Sequence, residues 1–186
     1  FFLSRKLKGD DFAQDTTTLR VVMGPQDDMF TKEGVETFLG TEYTVTSDFD
    51  RMGCRLDGAF IAVKEKSDII SDGIAYGSVQ VPAHGKPIIL LSDRQTTGGY
   101  AKIATVASVD IPKLVQRKTD HKIRFKAITV QEAQKLYLDE LKEDVSWFCK
   151  KFDYRYDEEP WYNSKDAVER AMKFLRSDIH KQGNGK

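Results

Sequence analysis

Between residues 74 and 130 the chain runs as a series of short, β-branched stretches cut by glycine and proline, and this punctuation limits the fold most. The run 74–81 ends at Pro82, 87–91 is a short apolar run, 100–109 is rich in β-branched residues, and 123–130 alternates. Upstream, 19–23 reads as a strand ended by Gly24-Pro25, 43–46 alternates, and 54–56 follows a break at Gly53. One short helix interrupts them, capped by Thr31, carrying Val35, Phe38 and Leu39 on one face and stopping at Gly40. Many short strands and few helices predict a mainly β domain over 18–134, a closed antiparallel β-barrel that leaves no sheet edge exposed.

After Thr129 the period changes. Glu132 follows Thr129 at capping-box spacing, and Ala133, Leu136, Tyr137, Leu141, Val145 and Phe148 recur at helical intervals. A break near 157–160 precedes a second expected helix over 164–180, with Val168, Met172, Phe174 and Leu175 as its apolar positions. Residues 135–186 are therefore expected as a helical C-terminal extension packed on the barrel, with too few apolar positions for a core of their own. The aromatic stretch from Trp147 to Tyr162 is assigned to that packing or to an interface with another chain. Residues 1–17 are polar and aperiodic and read as a disordered leader or a truncation stump; the tail 182–186 is expected to fray.

Charge and composition exclude several classes. The 29 basic and 29 acidic side chains cancel, so a nucleic-acid partner is not expected. No apolar run approaches the roughly 20 residues that span a bilayer, so no membrane partner is expected. Cys54 and Cys149 lie far apart without an export signal, which fits reduced thiols in a cytoplasmic protein. His84, His121 and His180 lack metal-ligand spacing, and no metal site is expected.

The most unusual segment is 92–102, which joins two apolar strands. It contains Asp93, Arg94, Gln95, Thr96, Thr97, Gly98, Gly99, Tyr100 and Lys102, where a turn of two to five residues is the ordinary connection. Its glycines would free the backbone for positive φ, and its N–H groups and threonine hydroxyls could hold a carboxylate, a carbonyl oxygen or a phosphate. Tyr100 and Lys102, two apart, would share a strand face, and a phenol beside an ammonium can polarise a carbonyl or trade protons. The same residues could equally form a hairpin loop that satisfies only its own backbone. The segment lacks the Gly-Lys-Ser/Thr ending of a phosphate-binding P-loop. Gln80, on one face with Ser78 and Tyr76, would line either a cavity or the solvent side. Arg51 would either anchor a carboxylate or lie on the surface.

The run Asp93-Arg94-Gln95-Thr96-Thr97-Gly98-Gly99-Tyr100, followed by Lys102-Ile103-Ala104, resembles the signature of the family that holds the C-subunit of 5-oxoprolinase and the KipI antagonists. The same block occurs in the carboxyltransferase region of urea carboxylase and in allophanate hydrolase subunit 2-like proteins. Gly24-Pro25-Gln26-Asp27, Arg51-Met52-Gly53, Ser71-Asp72-Gly73, the 77–82 stretch, Gly85-Lys86-Pro87 and Ile111-Pro112 agree in order. The resemblance covers the C-terminal half of the family and implies a cyclophilin-like barrel. It departs mildly at Asp72, where Glu is common, and at Cys54, where Tyr is common.

The family's usual preceding lobe implies that this chain is a truncated piece or a domain product. The implied function is a subunit of an ATP-dependent 5-oxoprolinase, or of a biotin-dependent carboxyltransferase or amide hydrolase complex, contributing half of a substrate site. Lys102, Tyr100 and Asp93 would be catalytic. Gln80, Arg51, Arg94, Gln95, Thr96, Thr97, Gly98 and Gly99 would bind a small amide or carboxylate substrate. No cofactor is assigned to this chain, and ATP or biotin would come only through partners, namely a KipI-like chain of the B-subunit type and a possible further component. The isolated chain would be inactive. The alternative is a KipI-antagonist-type regulatory protein that sequesters a histidine-kinase inhibitor.

Overall fold

The computed structural model describes residues 15–151, with side chains described as far as Glu143. The strands are β1 (Thr16–Met23), β2 (Tyr43–Phe49), β3 (Gly53–Asp57), β4 (Asp68–Gly73), β5 (Ser78–Gln80), β6 (Ile88–Leu90), β7 (Thr97–Tyr100), β8 (Lys102–Val106) and β9 (Lys122–Ala127). The helices are α1 (Lys32–Gly40), α2 (Ile111–Val115) and α3 (Val130–Lys151). Seven strands close into a barrel in the order β1-β8-β5-β6-β3-β2-β9, as the punctuated sequence predicts.

One closing pair departs from the expectation of a wholly antiparallel barrel. β9 runs parallel to β1, with Leu19 opposite Phe125. β8 and β9 flank β1 in opposite directions, and the segment that carries α2 passes from one to the other, packing against β1 on the way. Inside, Leu19, Val21, Phe38, Tyr43, Val45, Ile89, Ile103 and Ile123 are fully buried. α1 reaches this core through Phe38, stacked on Phe125 at 4.4 Å between centroids. Its start is fixed by the Thr31 hydroxyl, which accepts from the Gly34 N–H at 2.9 Å.

Two expected long strands are broken. The 74–81 run contributes only β5, because Gly77 sits at φ +83 and turns the chain before it. Tyr76 therefore lies in a turn, 39% exposed, rather than on one face with Gln80. The 100–109 run divides at Ala101, whose N–H donates to the Ser67 carbonyl and whose carbonyl accepts from the Val81 N–H. Tyr100 ends β7 and Lys102 opens β8, so the two do not share one strand. β7 pairs instead with β4 as a separate two-stranded ribbon.

β1 begins at Thr16, inside the stretch read as leader; residues 1–14 lie outside the described residues. The Thr129 capping box forms, with the Glu132 carboxylate accepting from the Thr129 N–H and the Glu132 N–H donating to the Thr129 hydroxyl. From Val130 to Glu143 no α3 side chain is fully buried, and Ala133, Leu136 and Leu141 are half-buried. The expected helix at 164–180 and the tail lie outside the described residues. The chain divides into two compact units between Lys142 and Glu143, and the site lies within the first.

Candidate functional site

Lys102 is 1% exposed, and its Nζ stands 3.0 Å from the Asp72 Oδ2 near the end of β4. Burying an ammonium costs several kcal/mol unless a counter-charge and hydrogen bonds compensate it. Asp72 provides the charge, and Gln26 fixes both partners. The Gln26 side-chain N–H donates to the same Asp72 oxygen at 3.0 Å, while its Oε1 accepts from the Lys102 N–H at 3.1 Å. A cis peptide between Gly24 and Pro25 shapes this turn, and the Gln26 N–H donates to the Lys102 carbonyl. Asp72 also accepts from the Gly73 N–H at 2.7 Å. The bond from Lys102, then those from Gly73 and Gln26, hold the Asp72 carboxyl below its ordinary range. Its side chain remains 52% exposed while that of Lys102 is 2% exposed, so the pair has one wet and one dry end.

Gln80 on β5 is the strand partner of Lys102 on β8 and is 5% exposed. Its amide nitrogen approaches the Tyr100 carbonyl at 3.4 Å. Gln80, Arg94, Gln95 and Tyr100 line one cleft of about 980 Å³, together with Asp48, Asp50, Arg55 and His84. These four of the sequence-predicted residues are thus brought together. Lys102 is not on that wall; it sits one strand behind, opposite Gln80.

The remaining predicted residues have other work. Arg51 and Asp93 meet each other, Nε to Oδ2 at 2.7 Å and Nη2 to Oδ1 at 2.9 Å. The guanidinium fork read as an anchor for a substrate carboxylate already holds the one read as catalytic. The Asp93 N–H also donates to the Arg51 carbonyl, so the pair clasps the signature segment to the β2–β3 turn. Thr97 and Gly98 are paired with Gly73 and Asp72 across the ribbon, and the Thr96 carbonyl accepts from the Ile74 N–H. The anticipated N–H-lined anion loop is therefore a strand. Gly98 and Gly99 do not have the positive φ expected of them, which occurs instead at Gly24, Gly58, Gly77 and Gly85. Space, not backbone hand, requires glycine at 98: a Cβ there would lie 2.7 Å from the Ile74 Cδ1 and 3.1 Å from the Gln80 Nε2. Gly99 has only ordinary contacts around it.

Sequence reasoning missed Asp72 and Gln26 as partners of Lys102. Both lie in motifs the sequence displays, Ser71-Asp72-Gly73 and Gly24-Pro25-Gln26-Asp27, but no spacing rule links positions 30 and 76 residues apart to a lysine. Cys54 is fully buried, and burial pushes its thiol up to about 12, which makes it inert as a nucleophile.

The site therefore combines a seven-stranded closed barrel, a polar cleft and a Lys102–Asp72 ion pair of which only the lysine is buried. The chain belongs to the family described as carboxyltransferase domain, subdomain A and B, whose model matches residues 4–127. A second model, of a family of unknown function, matches residues 111–182. The C-subunit of 5-oxoprolinase from Haemophilus influenzae is 44% identical over 110 residues, 56% of this chain and 36% of that protein. The C-subunit of 5-oxoprolinase from Escherichia coli is 33% identical over 131 residues, 69% of this chain and 42% of that protein. The chain thus spans less than half the length of either relative. Kluyveromyces lactis urea carboxylase superposes with a TM-score of 0.65 at 22% identity, over 69% of this chain and 12% of that one, which shows a shared fold.

Proposed function

We propose that this chain contributes one lobe of the substrate site in a 5-oxoprolinase-type complex, which opens the lactam of 5-oxoproline to glutamate at the expense of ATP. The observation that carries the reading is the Lys102 ammonium: it is buried, and of its three N–H donors only the one facing Asp72 has a partner among the described residues. A dry ammonium with unused donors is suited to the oxygen of a bound amide, where developing negative charge strengthens the bond in the transition state. Asp72 keeps that ammonium charged and aimed, and Gln26 keeps Asp72 in place. Gln80, opposite Lys102 and on the cleft wall, is placed to orient the amide.

Nucleotide or biotin chemistry falls to partner chains on this reading, a KipI-like protein of the B-subunit type and a further component. One lobe alone does not recover a geometry built from two, so the isolated chain is expected to be inactive. The test is ATP-dependent glutamate formation by the full-length protein reconstituted with its partners. Lys102→Met should lower kcat by about a hundredfold or more, on the scale of removing one oxyanion donor, with the barrel still folded. Undiminished turnover in a folded Lys102→Met complex would remove Lys102 from the chemistry, and no turnover by the reconstituted wild-type complex would favour the regulatory docking alternative.

A further inference from the structure

We infer that the β4–β7 ribbon is a strap over Lys102 that lifts independently of the barrel, with the Lys102–Asp72 pair as its latch. This goes beyond the amide-site reading above but serves it, because no ligand reaches an ammonium whose side chain is 2% exposed until its cover moves. The cover is defined by its contacts. Asp72, the partner of Lys102, lies on β4 and is the strand partner of Gly98 on β7. Gly98 in turn stands against Gln80, the strand partner of Lys102. Tyr100 at one end of the ribbon and Ile74 just beyond the other both line the cleft. Lifting the ribbon therefore reshapes the cleft wall and bares the ammonium in one movement.

The ribbon has little of its own to hold it down. It is a two-stranded sheet that shares no ladder with the seven strands of the barrel. No residue of β4 or β7 is buried, whereas each barrel strand carries at least one buried residue. Its own pairing is interrupted as well. Asp68 faces Tyr100 and Asp72 faces Gly98, so four steps along β4 match two along β7. Within that bulge Ile70 stands 95% exposed. A two-stranded ribbon without a buried face is marginally stable alone, and segments with so little burial open first. Asp72 supplies the tie: the Lys102 Nζ and the Gln26 side-chain N–H both donate to its Oδ2 at 3.0 Å. The Tyr100 carbonyl adds only the long bond from Gln80, 3.4 Å. Because the Asp72 carboxylate is half-exposed, water can take its place on the ammonium as the ribbon lifts.

The test uses neither substrate nor turnover, so its failure and that of the amide-site reading are distinguishable. Amide hydrogen exchange of the full-length protein is followed by mass spectrometry, beside reductive methylation of Lys102 with formaldehyde. Amides of 68–74 and 97–100 should exchange on the order of a hundredfold faster than those of β2 and β9, which open only with the barrel. Asp110→Ala removes the Arg20 and Lys113 contacts on the barrel. It should speed exchange in β2 and β9 and leave the ribbon rate unchanged, because lifting the ribbon does not break those contacts. Asp72→Asn should speed the ribbon about tenfold or more, the weight of a hydrogen bond to a charged group. Lys102 should methylate in the wild type at a rate that Asp110→Ala does not alter. Ribbon amides as slow as those of β2 and β9, or a ribbon that speeds with the barrel in Asp110→Ala, would overturn the inference. So would a ribbon indifferent to Asp72→Asn, or a Lys102 that stays unmodified while the ribbon exchanges. The wild-type comparison needs no variant, so a poorly folded one does not shield the inference.

Discussion

Gly98 stands against Gln80 so closely that a Cβ on it would come within 3.1 Å of the Gln80 Nε2. Across the ribbon the same glycine is the strand partner of Asp72. One small residue therefore sets the spacing between the cleft wall and the acid that holds Lys102. Gly98→Ala should push Gln80 and the Ile74 side chain aside at an overpacking cost of about 1–3 kcal/mol. Ligand affinity should fall while the barrel melts cooperatively. Gly99→Ala, whose nearest atom would be the Ile69 carbonyl oxygen at 3.4 Å, should be tolerated. Matched calorimetry and thermal melts of the two variants check this, and equal effects would remove the special role of position 98.

Asp110 is fully buried at the start of the connection from β8 to β9. Burial pushes its carboxyl up, but the hydrogen bonds from Arg20 and Lys113 outweigh that and leave it below the ordinary range. The Arg20 Nε and Nη2 reach its two oxygens at 2.7 and 2.6 Å, and the Lys113 Nζ reaches one at 2.8 Å. Asp110→Ala strands two partly buried cations and should cost about 3 kcal/mol in denaturant unfolding, the lower end for breaking a buried pair because Arg20 is partly wet. A change below about 1 kcal/mol would show that the pair is not what anchors α2 to β1.

What the sequence displayed was local. The Thr31 and Thr129 caps are three-residue relations, and both form as the spacing predicts. Alternation in 43–46 and 123–130 marked β2 and β9 because one face of each is buried, though β9 ends at Ala127. The parallel pairing of β9 with β1 was not legible, since alternation fixes which face is buried but not which neighbour is chosen. β4 was missed because Asp68–Gly73 is acidic and exposed, with no apolar face to betray it. The site was legible as a set of residues and not as a geometry. Gln80, Arg94, Gln95 and Tyr100 do converge, but the division at Ala101 separates Tyr100 from Lys102, and the Arg51–Asp93 pair spans 42 positions.

The Arg51–Asp93 clasp predicts a charge-reversal rescue. Arg51→Asp or Asp93→Arg alone should loosen the signature segment and raise KM, because like charges then face each other at the β2–β3 turn. The double variant should restore both KM and the melt, since the pair is exposed and its role is to hold one segment to another. A substrate-binding Arg51 or a catalytic Asp93 would not be rescued. Double-variant kinetics in the reconstituted complex decide between the two roles.

The last prediction concerns acid. Asp72 is held below its ordinary range first by the bond from Lys102, then by those from Gly73 and Gln26. A carboxyl lowered on folding adds stability that is complete above its unfolded pKa, about 3.9, and is lost as pH falls through the lower native value. Asp72→Asn removes that contribution and leaves a buried ammonium facing a neutral amide. The variant should therefore melt below the wild type near neutral pH, and the gap should narrow as the pH falls from about 4 through the lower native value, below which the folded wild-type aspartate is neutral too. The acidic groups at Asp57, Asp93 and Asp110 are common to both proteins, so the difference between the two melting curves isolates Asp72. A gap that stays constant from neutral to acidic pH would mean that the aspartate's shape, not its charge, supports Lys102.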